Sequence, residues 1–279
     1  MRGRYETGMI TAPPVVLSIA GSDCSAGAGI QADLKAFQHF GTHGLTAVTC
    51  VVSETANIVR TVHPVPVEIA ADQVALLMES FPVAAVKTGM LFSASHVVAV
   101  AEILSRYPQV PLIVDPVMIA STGAPLLEPD AMVAYRERLL PLSTVITPNL
   151  PEAEVLLGET IPDIDAVESA ALRLASIFKT SILLKGGHLP GGDCVDLLVH
   201  EGMVHKFSTA RLPVGASHGT GCTLSAAIAA RLALGDALPD AVAASKNYLT
   251  ATLATSYHFR GPQGEIHALN QGTIKSPAL

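Results

Sequence analysis

Tryptophan is absent from the 279 residues, and aromatic residues of all kinds make up only 4%. A chain this poor in rings must build its core from aliphatic side chains, and a hydrophobic content of 49% suffices for a sizeable one. Charge is scarce as well: 15% of residues carry one, and the net charge is −7. With no basic run anywhere, nucleic acid is excluded as the main partner. The four cysteines, Cys24, Cys50, Cys194 and Cys222, show no CxxC or other metal-ligand spacing and read as reduced thiols rather than a disulfide framework. Apolar runs are broken by Pro, Gly or charge before they reach membrane-spanning length. Residues 1–14 lack the apolar centre of a signal peptide. The expectation is a cytoplasmic protein with no membrane partner. Its short N-terminal extension, residues 1–14, is expected to be flexible, and the length fits one large α/β domain or two smaller ones.

The stretch that organises the rest is Ser217-His218-Gly219-Thr220-Gly221-Cys222-Thr223-Leu224-Ser225, followed by an alanine-rich run with helical spacing. Two glycines separated by one threonine before a helix leave backbone N–H groups unpaired, where the macrodipole also favours anions. Such a turn suits a phosphate or an oxyanion that develops during reaction. Cys222 falls at the helix entry, a position that lowers a thiol pKa. The competing reading is a glycine turn that caps a buried helix, with Cys222 as a small hydrophobe.

Strand signals alternate with helix signals along the whole chain. A β-branched run over residues 15–20 empties into a loop with Gly21, Gly27 and Gly29, and an amphipathic helix over residues 30–40 follows. The glycine spacing is not a dinucleotide fingerprint. Asp33 lies one turn into that helix, either facing the loop or as a solvated charge. Further strands are expected over residues 46–52, 84–87, 111–116, 144–147 and 181–185, and helices over 67–81, 95–106 and 238–256. Residues 195–200 and 203–207 read as a hairpin. Polar residues gather after the strands: Glu54, Asp115, Asn149 with Glu152, and Lys185. Asp115 suits Mg²⁺ or a turn before Pro116. Lys185 before two glycines suits a phosphate or an ordinary surface turn. This alternation implies a mostly parallel sheet with helices on both faces, and ligands in such sheets bind beyond the strand ends.

Six ordered blocks then carry a family resemblance. They are Ala20-Gly21-Ser22-Asp23 with Gly27 to Lys35, Lys87-Thr88-Gly89-Met90-Leu91, Val114-Asp115-Pro116-Val117-Met118, Thr147-Pro148-Asn149-Leu150-Pro151-Glu152-Ala153, Leu184-Lys185-Gly186-Gly187-His188, and the organising stretch. The chain closely resembles the ribokinase-like hydroxymethylpyrimidine and phosphomethylpyrimidine kinases of thiamin biosynthesis. The resemblance implies a single ribokinase-like domain over residues 15–279, a three-layer αβα sandwich, and a homodimer. It implies ATP and Mg²⁺, with phosphorylation of 4-amino-5-hydroxymethyl-2-methylpyrimidine and then of its monophosphate. Carried over residue by residue, Gly219, Gly221 and Cys222 would form the anion hole, with Thr220 also contacting nucleotide. Lys185 and Asn149 would lie at the phosphates, and Asp115 with Glu152 would order Mg²⁺. Gly21, Ala28, Asp33, Val52, Met90 and Val117 would line the pyrimidine pocket.

Position 54 departs from the family's usual glutamine, whose amide both donates to a ring nitrogen and accepts from the exocyclic amine. Glu54 does the same only when a proton is shared between it and the ring. Burial raises a carboxyl pKa and favours that arrangement. The alternatives are a different preferred ring, with pyridoxal the nearest rival acceptor, or a Glu54 that points to solvent. A non-catalytic ligand-binding protein on the same fold is a rival of another class.

Overall fold

Val15–Asp23 (β1) is the strand around which the sheet is assembled: it pairs in parallel with both His43–Thr55 (β2) and Val83–Thr88 (β4). Parallel pairing continues from β4 through Leu112–Val114 (β5), Val145–Ile146 (β6) and Ser181–Leu184 (β7). Antiparallel strands finish both edges, Ile58–Pro64 (β3) beside β2 and the hairpin Asp193–His200 (β8) with Met203–Ala210 (β9) beside β7. The order is therefore β3-β2-β1-β4-β5-β6-β7-β8-β9. The computed structural model describes residues 11–118, 131–187, 192–215, 218–262 and 264–272; His188 and Ser217 of the sequence blocks lie outside them.

Helices Gly29–His39 (α1), Val67–Ser80 (α2) and Ala94–Leu104 (α3) precede a single turn, Ala131–Ala134 (α4). The chain continues from α4 through a π-helical turn, Tyr135–Leu139, and a 3-10 turn, Leu140–Leu142, and the later α-helices are Leu150–Leu157 (α5), Ile164–Phe178 (α6), Thr220–Ala233 (α7) and Leu238–Ala254 (α8). Alternation along β1 sorts the two faces. Leu17 and Ile19 pack with Val74 of α2, Val97 of α3 and Leu174 of α6, while Val16 packs with Phe37 of α1, Ile228 of α7 and Val242 of α8. Central strands buried on both faces read as unbroken apolar runs, which is why the sequence shows them so clearly. The expected three-layer αβα architecture with a mostly parallel sheet is present.

Three differences from the sequence expectations matter. The strand expected over 15–20 continues to Asp23 through an irregularity between Ala20 and Ser22, carrying the first glycine loop out past the C-terminal ends of the central strands. The strand expected to stop near residue 52 runs on to Thr55, because β3 pairs with its protruding end, so Glu54 sits on a strand opposite Val59 rather than past one. Beyond α8 the chain forms a separate hairpin, Tyr257–Gly261 (β10) and Gly264–Ala268 (β11), that the sequence reading did not include.

Connections run to opposite sides from β1 and β4, so a topological switch point lies between their C-terminal ends. Open parallel sheets leave a crevice there.

Candidate active site

A cleft of about 630 Å³ opens at that point. Its walls include Gly21, Ala28, Val52, Glu54, Met90, Val117, Asp115, Asn149, Glu152, Lys185, Gly219, Thr220, Gly221 and Cys222. Every residue singled out from the sequence for substrate, nucleotide or metal is among them except Asp33.

The anion-hole region forms where α7 starts. Gly219 caps the helix with a left-handed backbone, φ +77°, and a Cβ there would lie 1.9 Å from the Gly27 carbonyl oxygen. Only glycine fits both conditions. The first glycine loop is thereby pressed against the helix N-terminus. Gln271, fully buried, ties the two together by donating from Nε2 to the Gly27 carbonyl (3.0 Å) and the Thr223 hydroxyl (2.8 Å). Gly221 lies in the first turn, and a Cβ there would be 3.2 Å from Lys185 Nζ and 3.4 Å from Asp115 Oδ2. The helix start and the charged cluster are thus in near contact.

That cluster gathers from three strand ends. Lys185 Nζ, past β7, donates to Asp115 Oδ1 past β5 at 2.9 Å and lies 4.0 Å from Glu152 Oε2. Glu152 and Asn149 form a reciprocal capping box at the start of α5, with the Asn149 N–H donating to Glu152 Oε2 (2.8 Å) and the Glu152 N–H donating to Asn149 Oδ1 (2.9 Å). Burial raises the Glu152 pKa to about 7, with Asp115 adding to the rise and Lys185 opposing it. Two carboxylates buried against one lysine leave room in the charge balance for a cation.

The thiol behaves opposite to expectation. Burial pushes Cys222 up to about 11; the Lys87 charge and a Gly29 backbone hydrogen bond oppose the rise, while Asp33 and Asp115 add to it. Desolvation is the largest of these influences, and it favours the neutral thiol over the thiolate expected at a helix entry.

Asp33 is placed differently from the other pocket candidates. It is fully buried behind the cleft wall, accepting from Lys87 Nζ at 3.0 and 2.8 Å and from the Ser18 hydroxyl at 2.5 Å. Neither a solvated charge nor a lining residue, it is half of an internal ion pair. Burial works against the Lys87 charge, but Asp33, Cys222 and Asp115 together hold its pKa above the ordinary value.

At the other end of the cleft stands Glu54, whose pKa is raised by burial and by Asp23 and lowered by His218. Asp23 is committed to its loop. Its Oδ1 accepts from the Ser25 N–H, and its Oδ2 accepts from the Gly27 and Ala28 N–H groups, the Ser25 hydroxyl and His218 Nε2, all within 3.0 Å. Burial opposes its charge, yet His218 and the loop donors bring its pKa down to about 2.

Sequence reasoning missed Asp23, Gln271 and a second buried pair, Lys246 Nζ to Asp196 Oδ2 at 2.6 Å, with Asp196 Oδ1 accepting from the Gly186 N–H at 2.9 Å. Asp196 was legible as the one acid within the apolar run of β8, and Lys246 as the one cation in the middle of α8.

A family model described as phosphomethylpyrimidine kinase matches residues 23–267. The hydroxymethylpyrimidine/phosphomethylpyrimidine kinase of Streptomyces coelicolor is 41% identical over 91% of this chain and 94% of its own. A thiamine biosynthesis bifunctional protein of Geobacter sulfurreducens is 44% identical over 85% of this chain, which spans about half (49%) of that longer relative. Among solved structures, a phosphomethylpyrimidine kinase from Clostridium difficile is 38% identical with a TM-score of 0.75, covering 85% of this chain and 98% of its own. A pyridoxal kinase from Staphylococcus aureus in complex with AMP-PCP is 31% identical with a TM-score of 0.85, covering 95% and 96%.

Proposed function

The chain belongs to the phosphomethylpyrimidine kinase family, and we propose on that footing that its cleft carries out two ATP-dependent phosphorylations. The first acceptor is the hydroxymethyl group of 4-amino-5-hydroxymethyl-2-methylpyrimidine; the second is the resulting monophosphate, which becomes the pyrophosphate for thiamin biosynthesis. The observation that carries the reading is the convergence of the Gly219–Cys222 helix start with Lys185, Asp115 and Glu152 at the switch point.

Phosphoryl transfer through a loose transition state asks mainly for positioning and charge stabilisation. Backbone N–H groups of Gly221 and Cys222 would face the transferring group, and Lys185 would draw negative charge from the phosphates. Asn149 and Thr220 border the same space. The donor set of Asp115 and Glu152 fits Mg²⁺, which when bound would neutralise charge on phosphate oxygens.

A neutral Cys222 puts no fixed negative charge beside two incoming phosphates. It is not a base at pH 7, so any relay of the alcohol proton must pass on its own proton as it accepts one. The second step needs no base, since a monophosphate with a second pKa of about 6 is already largely ionised.

Gly21, Ala28, Val52, Met90 and Val117 supply an apolar slot for the ring. Glu54 at its rim would hold the proton that pairs with a ring nitrogen and accept from the exocyclic amine, the role its raised pKa supports. Asp33, from behind the wall, would act only through Lys87.

Family membership also supports a homodimer of single ribokinase-like domains beginning at residue 15 and working in the cytoplasm, without nucleic acid or membrane partners. No helix among the described residues is long and apolar enough to cross a membrane.

Release of ADP from ATP should be measured with the pyrimidine alcohol, its monophosphate and pyridoxal as acceptors. Turnover of both pyrimidines supports the reading. Efficient turnover of pyridoxal alone replaces it with the second reading, which the overlay on the Staphylococcus aureus pyridoxal kinase keeps specific.

A further inference from the structure

The β10–β11 hairpin carries side chains that the phosphoryl-transfer reading does not use. Its register sets His258 opposite His267 and Arg260 opposite Glu265. Strand alternation places these four on one face, and Tyr257, Phe259 and Ile266 on the other. The two imidazole rings stack with centroids 4.5 Å apart and planes inclined by 9°. Glu265 reaches diagonally across, its Oε2 lying 3.0 Å from His258 Nε2. One donor atom from each of His258, Glu265 and His267 lies within 4.8 Å of the other two. A tetrahedral ion with bonds of about 2.0–2.1 Å needs donors roughly 3.4 Å apart. Exposed His258 and Glu265 can make the contraction by side-chain rotation, the His258 ring leaving the stack to turn its lone pair toward the half-buried His267.

We propose that His258, Glu265 and His267 form a binding site for a divalent transition-metal ion of the Zn²⁺ class, separate from the phosphoryl-transfer cleft. Two imidazoles and one carboxylate, with water completing the shell, suit Zn²⁺, Ni²⁺ or Cu²⁺ rather than Mg²⁺, which prefers oxygen donors alone. None of the three residues lines the cleft.

The other mixed cluster, Asp23, Glu54 and His218, has equally close donors but a different chemistry. There Asp23 Oδ2 already accepts four hydrogen bonds from its own loop and from His218, so an ion would have to dismantle the loop. On the hairpin, the groups that compete for the Glu265 carboxylate among the described residues are side chains. They are His258 itself and Arg260, whose Nε is 3.4 Å from Oε1 and whose side chain is 83% exposed. Arg260 can swing away at little cost.

Such an ion would brace two segments that border the cleft. His267 packs on Gly215, where a Cβ would meet the ring at 3.0 Å, and Val214 beside it is part of the cleft wall. The Glu265 carbonyl accepts from Asn57 Nδ2 at 3.0 Å, in the turn just beyond Glu54 and Thr55.

Zn²⁺ titration of the full chain by calorimetry, in excess Mg²⁺, tests the proposal against the His258→Ala/His267→Ala double variant. The wild type should bind one more equivalent than the double variant and gain thermal stability that the variant does not gain. Glu265→Gln should weaken that equivalent by about tenfold, and Arg260→Gln, which removes a competing cation, should tighten it. Circular dichroism of each variant establishes that it is folded. Equal stoichiometry and affinity in the wild type and a folded double variant would overturn the site.

Discussion

Lys185 Nζ lies 2.9 Å from Asp115 Oδ1, although the two residues are seventy positions apart and end different strands. The contact joins the β5 and β7 ends directly beneath the Gly219–Gly221 turn. The lysine is held between Asp115 and Glu152, and the phosphates of ATP would give its charge a further set of acceptors. Lys185→Met should therefore lower kcat by about 10²–10³-fold, the loss typical when one charged or hydrogen-bonding group is removed from a transition state. Steady-state kinetics with saturating ATP checks this, and a change confined to the KM for the pyrimidine would move Lys185 away from the reacting phosphate.

Gly219 and Gly221 should fail in different ways when each is changed to alanine. At 219 the side chain demands a left-handed backbone and collides with the Gly27 carbonyl, so the first loop and the helix start must separate. Gly219→Ala should lose both activity and melting temperature. At 221 the nearest neighbour is the flexible end of Lys185, so Gly221→Ala should remain folded while its activity falls. Thermal melts beside activity assays separate the two.

The Cys222 thiol should be a poor nucleophile at neutral pH. With its pKa raised to about 11, thiolate grows tenfold per pH unit up to that value. Alkylation at Cys222 by iodoacetamide, followed by peptide mass spectrometry, should rise in proportion between pH 7 and 10. A rate that levels off below pH 8 would show that the helix N-terminus prevails over desolvation after all.

The Asp33–Lys87 pair should be costly to break and cheap to replace. Lys87→Met strands a carboxylate with no exposure to solvent, a change worth about 3–5 kcal/mol of stability. Adding Asp33→Leu should recover most of that loss. Urea denaturation of the two single variants and the double variant completes the cycle, and additive losses would mean that the pair is not coupled.

Much of this architecture is legible in the sequence because it rests on local signals. Parallel strands show as apolar runs, and polar residues cluster after Val114, Ile146 and Leu184, where the site forms. Family blocks then assign roles that spacing alone leaves open. What stays hidden depends on contacts between distant parts of the chain. Asp33 reads as an acid that faces the glycine loop or solvent until Lys87, fifty-four residues on, is seen beside it. The Cys222 thiol has the position of an activated group, and its neutrality follows only from the burial imposed by surrounding elements. Glu54 reads as the end of a strand because its partner, β3, is mostly exposed and lacks a clear alternating pattern. Gln271 lies beyond the last expected helix, with nothing nearby to mark it as the tie between Gly27 and Thr223.

The most direct test of the central claim is a time course of phosphorus NMR on ATP, Mg²⁺, the pyrimidine alcohol and catalytic protein, run beside Glu54→Gln. The monophosphate signal should rise first and then give way to the paired signals of the pyrophosphate, with the wild type competent in both steps. A wild type that forms neither product, while Glu54→Gln forms both, would contradict the account: the natural acceptor would then be a different ring.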